Sequence, residues 1–317
     1  MVGHVLRCAP FYATIKELID SGRIGRVLAI RTTECVDYGH VATSFIRGKW
    51  SRTAVNPMLM SKCCHDLDLI AWYKPGVPVR RVSSFGGRFL FRPEQAPAGS
   101  AERCVTGCAI ERQCPYSAKR LYVEKRLYKW CVWQSIEDAV EREGGAMTDE
   151  RKLASLASEN PYGRCVWRCD NDVVDQQTVQ IEFADGTQAV HCLFTNGGRG
   201  LRDLYVVGTG GDLYGDSGDG RLRLGVPDMG ENRNETVEEW IDTTGRGSTQ
   251  DTGHGGGDLR LIANFIGALR GEPGAAGVTR IEDSLTGHLI GFAADRSLRE
   301  GRPVDVAPPP AAGGKER

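Results

Sequence analysis

No stretch of the chain approaches the ~18 consecutive apolar residues that a membrane-spanning helix needs. Charge of one sign is not in excess either: 40 Lys and Arg stand against 41 Asp and Glu, a net charge of -1. Nothing in that balance points to nucleic acid or an anionic membrane. The one basic patch, Lys119 to Trp130, reads as a short surface helix with aromatic anchors. The N-terminal MVGHVLRCAPFY has no signal-peptide anatomy, so a cytoplasmic location is expected. The chain has no Gly-x-Ser-x-Gly and no Walker A sequence, which removes the main hydrolase and phosphate-loop readings. No G-x-G-x-x-G occurs, so a dinucleotide has no fingerprint to bind. The glycine-rich GTGGDLYGDSGDG, residues 208–220, lies in a β-rich stretch and reads as hairpin turns.

Cysteine is plentiful, with 11 in 317 residues. Their odd number, their scatter and the missing export signal argue against a disulfide scaffold. Cys104, Cys108 and Cys114 form C-x3-C-x5-C in an irregular segment, and Cys165 and Cys169 form a second C-x3-C. Thiolates gathered in a loop can ligate zinc or an iron–sulfur cluster. The spacing matches no standard finger, and free thiols are the simpler reading.

Residues 2–8 read as a short buried strand. Pro10 then opens a helix with Phe11, Ile15, Leu18 and Ile19 as its apolar stripe and Gly22 at its end. Residues 26–38 alternate like a long strand, as do 79–91. Periodicity dissolves from Arg92 to about Asn171. Two strands joined by the turn at 184–187 then form a hairpin, and short strands follow to about Asp242. Two helices end the folded part, and the tail from residue 307 is expected to be disordered. This order predicts an α+β fold: an open, predominantly antiparallel sheet with helices on one face. The first strand and helix fall outside that pattern.

Residues 58–73, MLMSKCCHDLDLIAWY, read as one helix with two unlike faces. At about 100° per residue, Met60, Cys63, Cys64, Leu67, Ile70 and Ala71 share one side. Ser61, Lys62, His65, Asp68, Leu69 and Trp72 share the other. Lys62 and His65, three apart, can reach one small bound molecule. A histidine titrates near neutrality and suits acid/base work, and a neighbouring cation keeps it deprotonated. The plainer reading is a polar side meeting solvent; Leu69 and Trp72 argue for a cleft. Asp68 reads as a structural acceptor. In GHGGGD, residues 253–258, glycines at a helix start can offer free N–H groups to an anion or sugar oxygens, with His254 and Asp258 beside them. The alternative is a flexible loop capped by Asp258.

HVLRCAPFYATIKELIDSGRIGRVLAIR, SFIRGKW, KCCHDLDLIAWY, ERCVTGCAIERQCPYSAKRLY, PYGRCVWRCDNDVVDQQ, GHGGGD and SLTGHLIGFAADRSLREGRPV follow in the order of one branch of the glucose–fructose oxidoreductase / inositol dehydrogenase / MocA family. The chain resembles that family from Val2 to about Val306. The resemblance implies a remnant of the nucleotide-binding domain at 1–24, its last strand and helix, and a substrate and oligomerisation domain at 25–306. It implies hydride transfer between NAD or NADP and a sugar or polyol. His65 would be the acid/base or orienting group and Lys62 a partner for the reacting oxygen. Tyr38, His40, Arg47, His254 and Asp258 are the candidate substrate-binding residues. The family's aspartate four residues before the histidine is Ser61 here, and the glycine fingerprint and E-K-P motif of its nucleotide domain are not found. The chain alone is therefore expected neither to bind NAD(P) nor to turn over. The other expectation is a stand-alone, non-catalytic binding module. In both cases a homo-oligomer formed through the open sheet is expected.

Overall fold

The computed structural model describes residues 1–142, 145–230, 235–244, 253–272 and 279–307. The expected tail, apart from Ala307, lies outside them. Nine strands form one sheet: β1 (Val27–Asp37), β2 (Val79–Gly87), β3 (Gln176–Phe183), β4 (Gln188–Gly197), β5 (Leu201–Gly208), β6 (Gly211–Asp216), β7 (Arg221–Pro227), β8 (Thr236–Asp242) and β9 (Val304–Asp305). Their order across the sheet is β8-β7-β6-β5-β1-β4-β3-β2-β9. Every neighbouring pair is antiparallel except β1 and β4. The longer helices are α1 (Pro10–Asp20), α2 (Cys64–Tyr73), α3 (Gln134–Arg142), α4 (Asp149–Ala157), α5 (Gly257–Leu269) and α6 (Ile281–Glu300). Among the described residues no helix is long and apolar enough to cross a membrane.

Strand alternation decides which face is covered. Ile30, Thr32, Glu34 and Val36 of β1 are buried on the helix side. Helix α6 packs against α2 and β2 there. Gly287 lets the two helices close: a Cβ at 287 would stand 3.0 Å from the Cα of Asp68. On the other face Phe85, Phe194, Tyr214 and Trp240 are exposed. Arg31 lies over the Tyr205 ring at 5.8 Å and Arg221 over Trp240 at 5.1 Å. The expected α+β architecture, an open and mostly antiparallel sheet with helices on one face, is the one observed.

Two local expectations are corrected. Residues 2–8 are not a strand: Val5–Cys8 is a single buried 3-10 turn, and Val2 makes one isolated bridge to Thr279. A short continuous apolar run fits a buried strand and a buried turn equally well by periodicity. No described strand lies alongside to satisfy its backbone, so the turn prevails. The second correction is in residues 58–73, which form two helices. Met58–Ser61 ends at Lys62, whose φ of -126° and ψ of -49° leave the helix, and α2 starts at Cys64. No glycine or proline marks the break; it falls where Lys62 turns aside to meet Glu34.

Candidate functional site

The site grows from the register of β1 and β5, which sets Glu34 opposite Arg202 on the helix-covered face. Arg202 Nε lies 2.5 Å from Glu34 Oε2 and 3.1 Å from Asp66 Oδ1. Lys62 Nζ reaches Glu34 Oε1 at 3.2 Å. The result is an alternating chain, Lys62–Glu34–Arg202–Asp66, with both carboxylates buried. Such charges tolerate burial only when each is paired. Burial pushes the Glu34 carboxyl up, and Arg202 pulls it back. For Arg202 burial acts against the charge, but Asp66 and Glu34 outweigh it and hold the guanidinium protonated.

His65 sits in the first turn of α2, next to Asp66. Burial, reinforced by the Arg202 charge, pushes its imidazole down to about 4. The ring is therefore neutral near pH 7. Its Nδ1 is buried and has no hydrogen-bond partner among the described residues. Around it stand His4 and His254, with ring centroids 5.9 and 5.8 Å away, and His288 lies 5.8 Å from His4. Asp68 anchors this group: it accepts Nε and Nη2 of Arg7 at 2.7 Å each and stands 3.6 Å from His4 Nε2. It is the structural acceptor that its position suggested.

The other predicted residues divide. His254 Nδ1 lies 2.9 Å from Asp258 Oδ1, both exposed, so Asp258 pairs with the histidine rather than capping α5. The glycines before α5 are required by geometry. Gly255 and Gly256 have φ of 64° and 86°, and a Cβ on Gly257 would stand 2.6 Å from the Val5 carbonyl oxygen. His40 follows β1, where the Asp37 carboxylate accepts its amide at 2.9 Å. Burial, and after it the Lys62 charge, pushes its imidazole down to about 4. The Tyr38 hydroxyl accepts from Lys125 Nζ at 3.2 Å. Leu69 is buried rather than facing a cleft. Trp72 lines a different cleft, of about 500 Å³, with Arg7, Lys74 and Asp283.

Arg47 does not join the His65 group. It ends a buried π-helical turn, Val41–Arg47, which winds its side chain under residues 104–164. All 11 cysteines are free thiols. Cys104, Cys108, Cys114 and Cys165 line one narrow cavity with Arg47. Cys169 is not in that lining, and its thiol donates to the Cys165 carbonyl at 3.3 Å. Elsewhere Cys63, Asp66 and His191 bring ligand atoms within 4.8 Å of one another. Arg202 already holds Asp66, and His191 Nδ1 lies 2.9 Å from Thr32 Oγ1, so a guanidinium takes the place of a cation.

Sequence reasoning missed Glu34, Asp66, Arg202 and His4. One signal was available: in RTTECVD, Glu34 falls between Thr32 and Val36 on the same side of the strand, and an inward charge requires a partner.

A family model described as GFO/IDH/MocA C-terminal domain matches residues 12–103. YteT of Bacillus subtilis (strain 168), named as an oxidoreductase, is 24% identical over 314 residues, covering 95% of this chain and 67% of that protein. Levoglucosan dehydrogenase, solved with NADH and levoglucosan, is 16% identical with a TM-score of 0.59, over 96% of this chain and 66% of that one. A protein of Sinorhizobium meliloti 1021 named as a myo-inositol dehydrogenase is 16% identical with a TM-score of 0.53, over 97% and 65%. The chain thus spans about two thirds of the length of these relatives.

Proposed function

We propose that this chain, whose fold and matched domain are those of the Gfo/Idh/MocA oxidoreductases, supplies the substrate wall of a sugar or polyol dehydrogenase. The observation that carries the reading is His65: a neutral, only partly buried imidazole beside the Arg202 guanidinium, with His4 and His254 around it. Such a group accepts the proton of a hydroxyl as its carbon is oxidised. In this reading Lys62, which Glu34 holds, and His40, whose imidazole feels the Lys62 charge, belong to the same site, and Lys62 stabilises negative charge on the reacting oxygen. His254, paired to Asp258, orients a neighbouring hydroxyl. The dehydrogenases among the solved relatives support the substrate class.

The nicotinamide, NAD or NADP, accepts the hydride when bound. The described residues hold no strand–turn–helix cradle for its pyrophosphate. They act on the substrate, and a nucleotide-binding domain would present the dinucleotide. That same feature favours a second reading, a binding module that holds a polyol without oxidising it.

Turnover of a panel of sugars and cyclitols with NAD+ and NADP+, by the protein isolated from its source, separates the two. His65→Ala is expected to lower kcat by about 100-fold or more, with a smaller change in KM. Unchanged kcat removes His65 from proton transfer. Polyol binding without turnover supports the module.

A further inference from the structure

The basic patch at residues 119–130 is not one helix. A π-helical turn, Lys119–Glu124, and a short helix, Lys129–Val132, are separated by residues 125–128. Within that link Arg126 and Tyr128 have φ of 54° and 56°. Residues with a Cβ rarely enter this left-handed region, and a bulky aromatic one is an outlier there. Such a backbone persists only where its surroundings hold it. Leu127 N donates to the Leu121 carbonyl at 2.9 Å, and the Tyr128 carbonyl accepts the amides of Cys131 and Val132 at 3.1 Å each. Trp133, buried, donates from its indole to the Tyr122 carbonyl at 3.3 Å.

This backbone aims the Tyr128 side chain at the end of β1. Its hydroxyl donates to Asp37 Oδ1 at 3.1 Å. The same oxygen accepts the amides of Gly39 and His40, at 3.0 and 2.9 Å. Burial, and after it the Asp37 charge, pushes the phenol up, so it keeps the proton it donates. The Tyr128 and His40 rings lie nearly parallel, 28° apart, with centroids at 6.2 Å. Gly39 leaves the room for this: a Cβ there would stand 2.9 Å from the Tyr128 hydroxyl oxygen. Beside it, Lys125 Nζ donates to the Tyr38 hydroxyl at 3.2 Å. Residues 125–128 thus clasp residues 37–40.

Asp37 closes the turn at residues 38–40 through the two amides alone. Tyr128 adds something the turn does not need, a flat surface against the His40 ring. The plane of a ring decides where its nitrogens point, and a neutral imidazole offers one donor and one acceptor. The charges that bear on this ring are those of Lys62, Asp37 and Arg202, two of them from the chain of ion pairs beside His65. Phe45 stands 5.6 Å from it at a tilt of 45°.

Resting on the function proposed above, in which His40, Lys62 and His65 share one site, we propose that Tyr128 is a positioning residue for the polyol. It holds the His40 ring so that one ring nitrogen meets a substrate hydroxyl other than the reacting one. The left-handed backbone at residue 128 is what that aim costs. Glycine or asparagine would take this backbone more easily, and neither brings a ring.

The test follows the imidazole signals of the full chain by nuclear magnetic resonance while myo-inositol or glucose is added, with His40→Gln and His65→Gln variants to assign them. Both His40 and His65 are expected to respond in the wild type. Tyr128→Leu should weaken binding by about tenfold. It should also free the His40 ring, whose titration climbs from about 4 towards 6.5, and leave that of His65 in place. Tyr128→Phe keeps the stacked ring and loses only the bond to Asp37; it should weaken binding about threefold, and it stands in if the leucine variant fails to fold. Trp130→Ala, exposed on the same short helix, should change neither binding nor titration. A His40 signal that ignores the sugar while His65 answers it would overturn the proposal and leave the dehydrogenase reading standing. Wild-type affinity in both Tyr128 variants would do the same. Silence from both rings would remove that reading and the proposal with it. No outcome depends on turnover.

Discussion

Burial pushes four imidazoles down, those of His4, His40, His65 and His191, and the lowest values belong to His40 and His65. His40 and His65 each titrate at about 4 in the folded chain against an ordinary value of 6.5. Between those values the unfolded chain binds more protons than the folded one, so stability rises with pH across that window. Equivalently, stability is lost as pH falls from about 6.5 towards about 4. Urea midpoints of the wild type and of a His40→Gln, His65→Gln variant, measured across the window, isolate this contribution from that of the carboxylates. The variant should give the shallower slope, and identical slopes would show that neither ring is buried neutral. The same arithmetic says why the rings matter chemically. Keeping an imidazole uncharged beside Arg202 leaves it free to accept a proton at neutral pH.

At the scale of elements, the site depends on how closely two helices pack. Helix α6 crosses α2 through Gly287, whose missing side chain lets it lie against the backbone of Leu67 and Asp68. Gly287→Val is expected to cost about 1–3 kcal/mol by overpacking. It should also displace Asp68, the residue that holds Arg7 and His4 behind His65. Thermal melts read the first effect. The chemical shifts of His4 and His65 read the second, and a variant with wild-type melting would show that the helices have room to part. The periodicity of residues 58–73 marked a helix but not its interruption. Backbone propensity alone would continue it. The ion pair from Lys62 to buried Glu34 lies 28 residues back in the chain, beyond any local pattern.

At the scale of the whole molecule, the described helices cover one sheet face and leave the other open. The open face carries Phe194, Tyr214, Arg31 and Tyr205 in a mixed aromatic and charged surface. A second copy of the chain is the expected cover, since a two-fold axis can bring one such aromatic face against another. Light scattering should report a dimer or larger oligomer. A Phe194→Lys, Tyr214→Lys variant should shift it towards monomer with the fold intact, and a wild type that stays monomeric at high concentration would dismiss the idea.

The sequence by itself determined the fold class and marked Lys62 and His65 as candidates for the chemistry. Alternation gave β1 through its inward residues, a stop at Pro75–Gly76 bounded α2, and the order of motifs carried the family likeness. These are local or ordinal properties, written in side-chain spacing. Tertiary structure decided the rest. It turned the apolar run at residues 5–8 into a 3-10 turn, because no strand among the described residues pairs with it. It took Arg47 away from the His65 group and set it beside a cavity lined by four cysteines. It also joined Glu34, Asp66 and Arg202, which lie far apart in the chain, into one paired network. Charge pairing in the interior is a matter of distance in space. Spacing along the chain carries that information only within a single element.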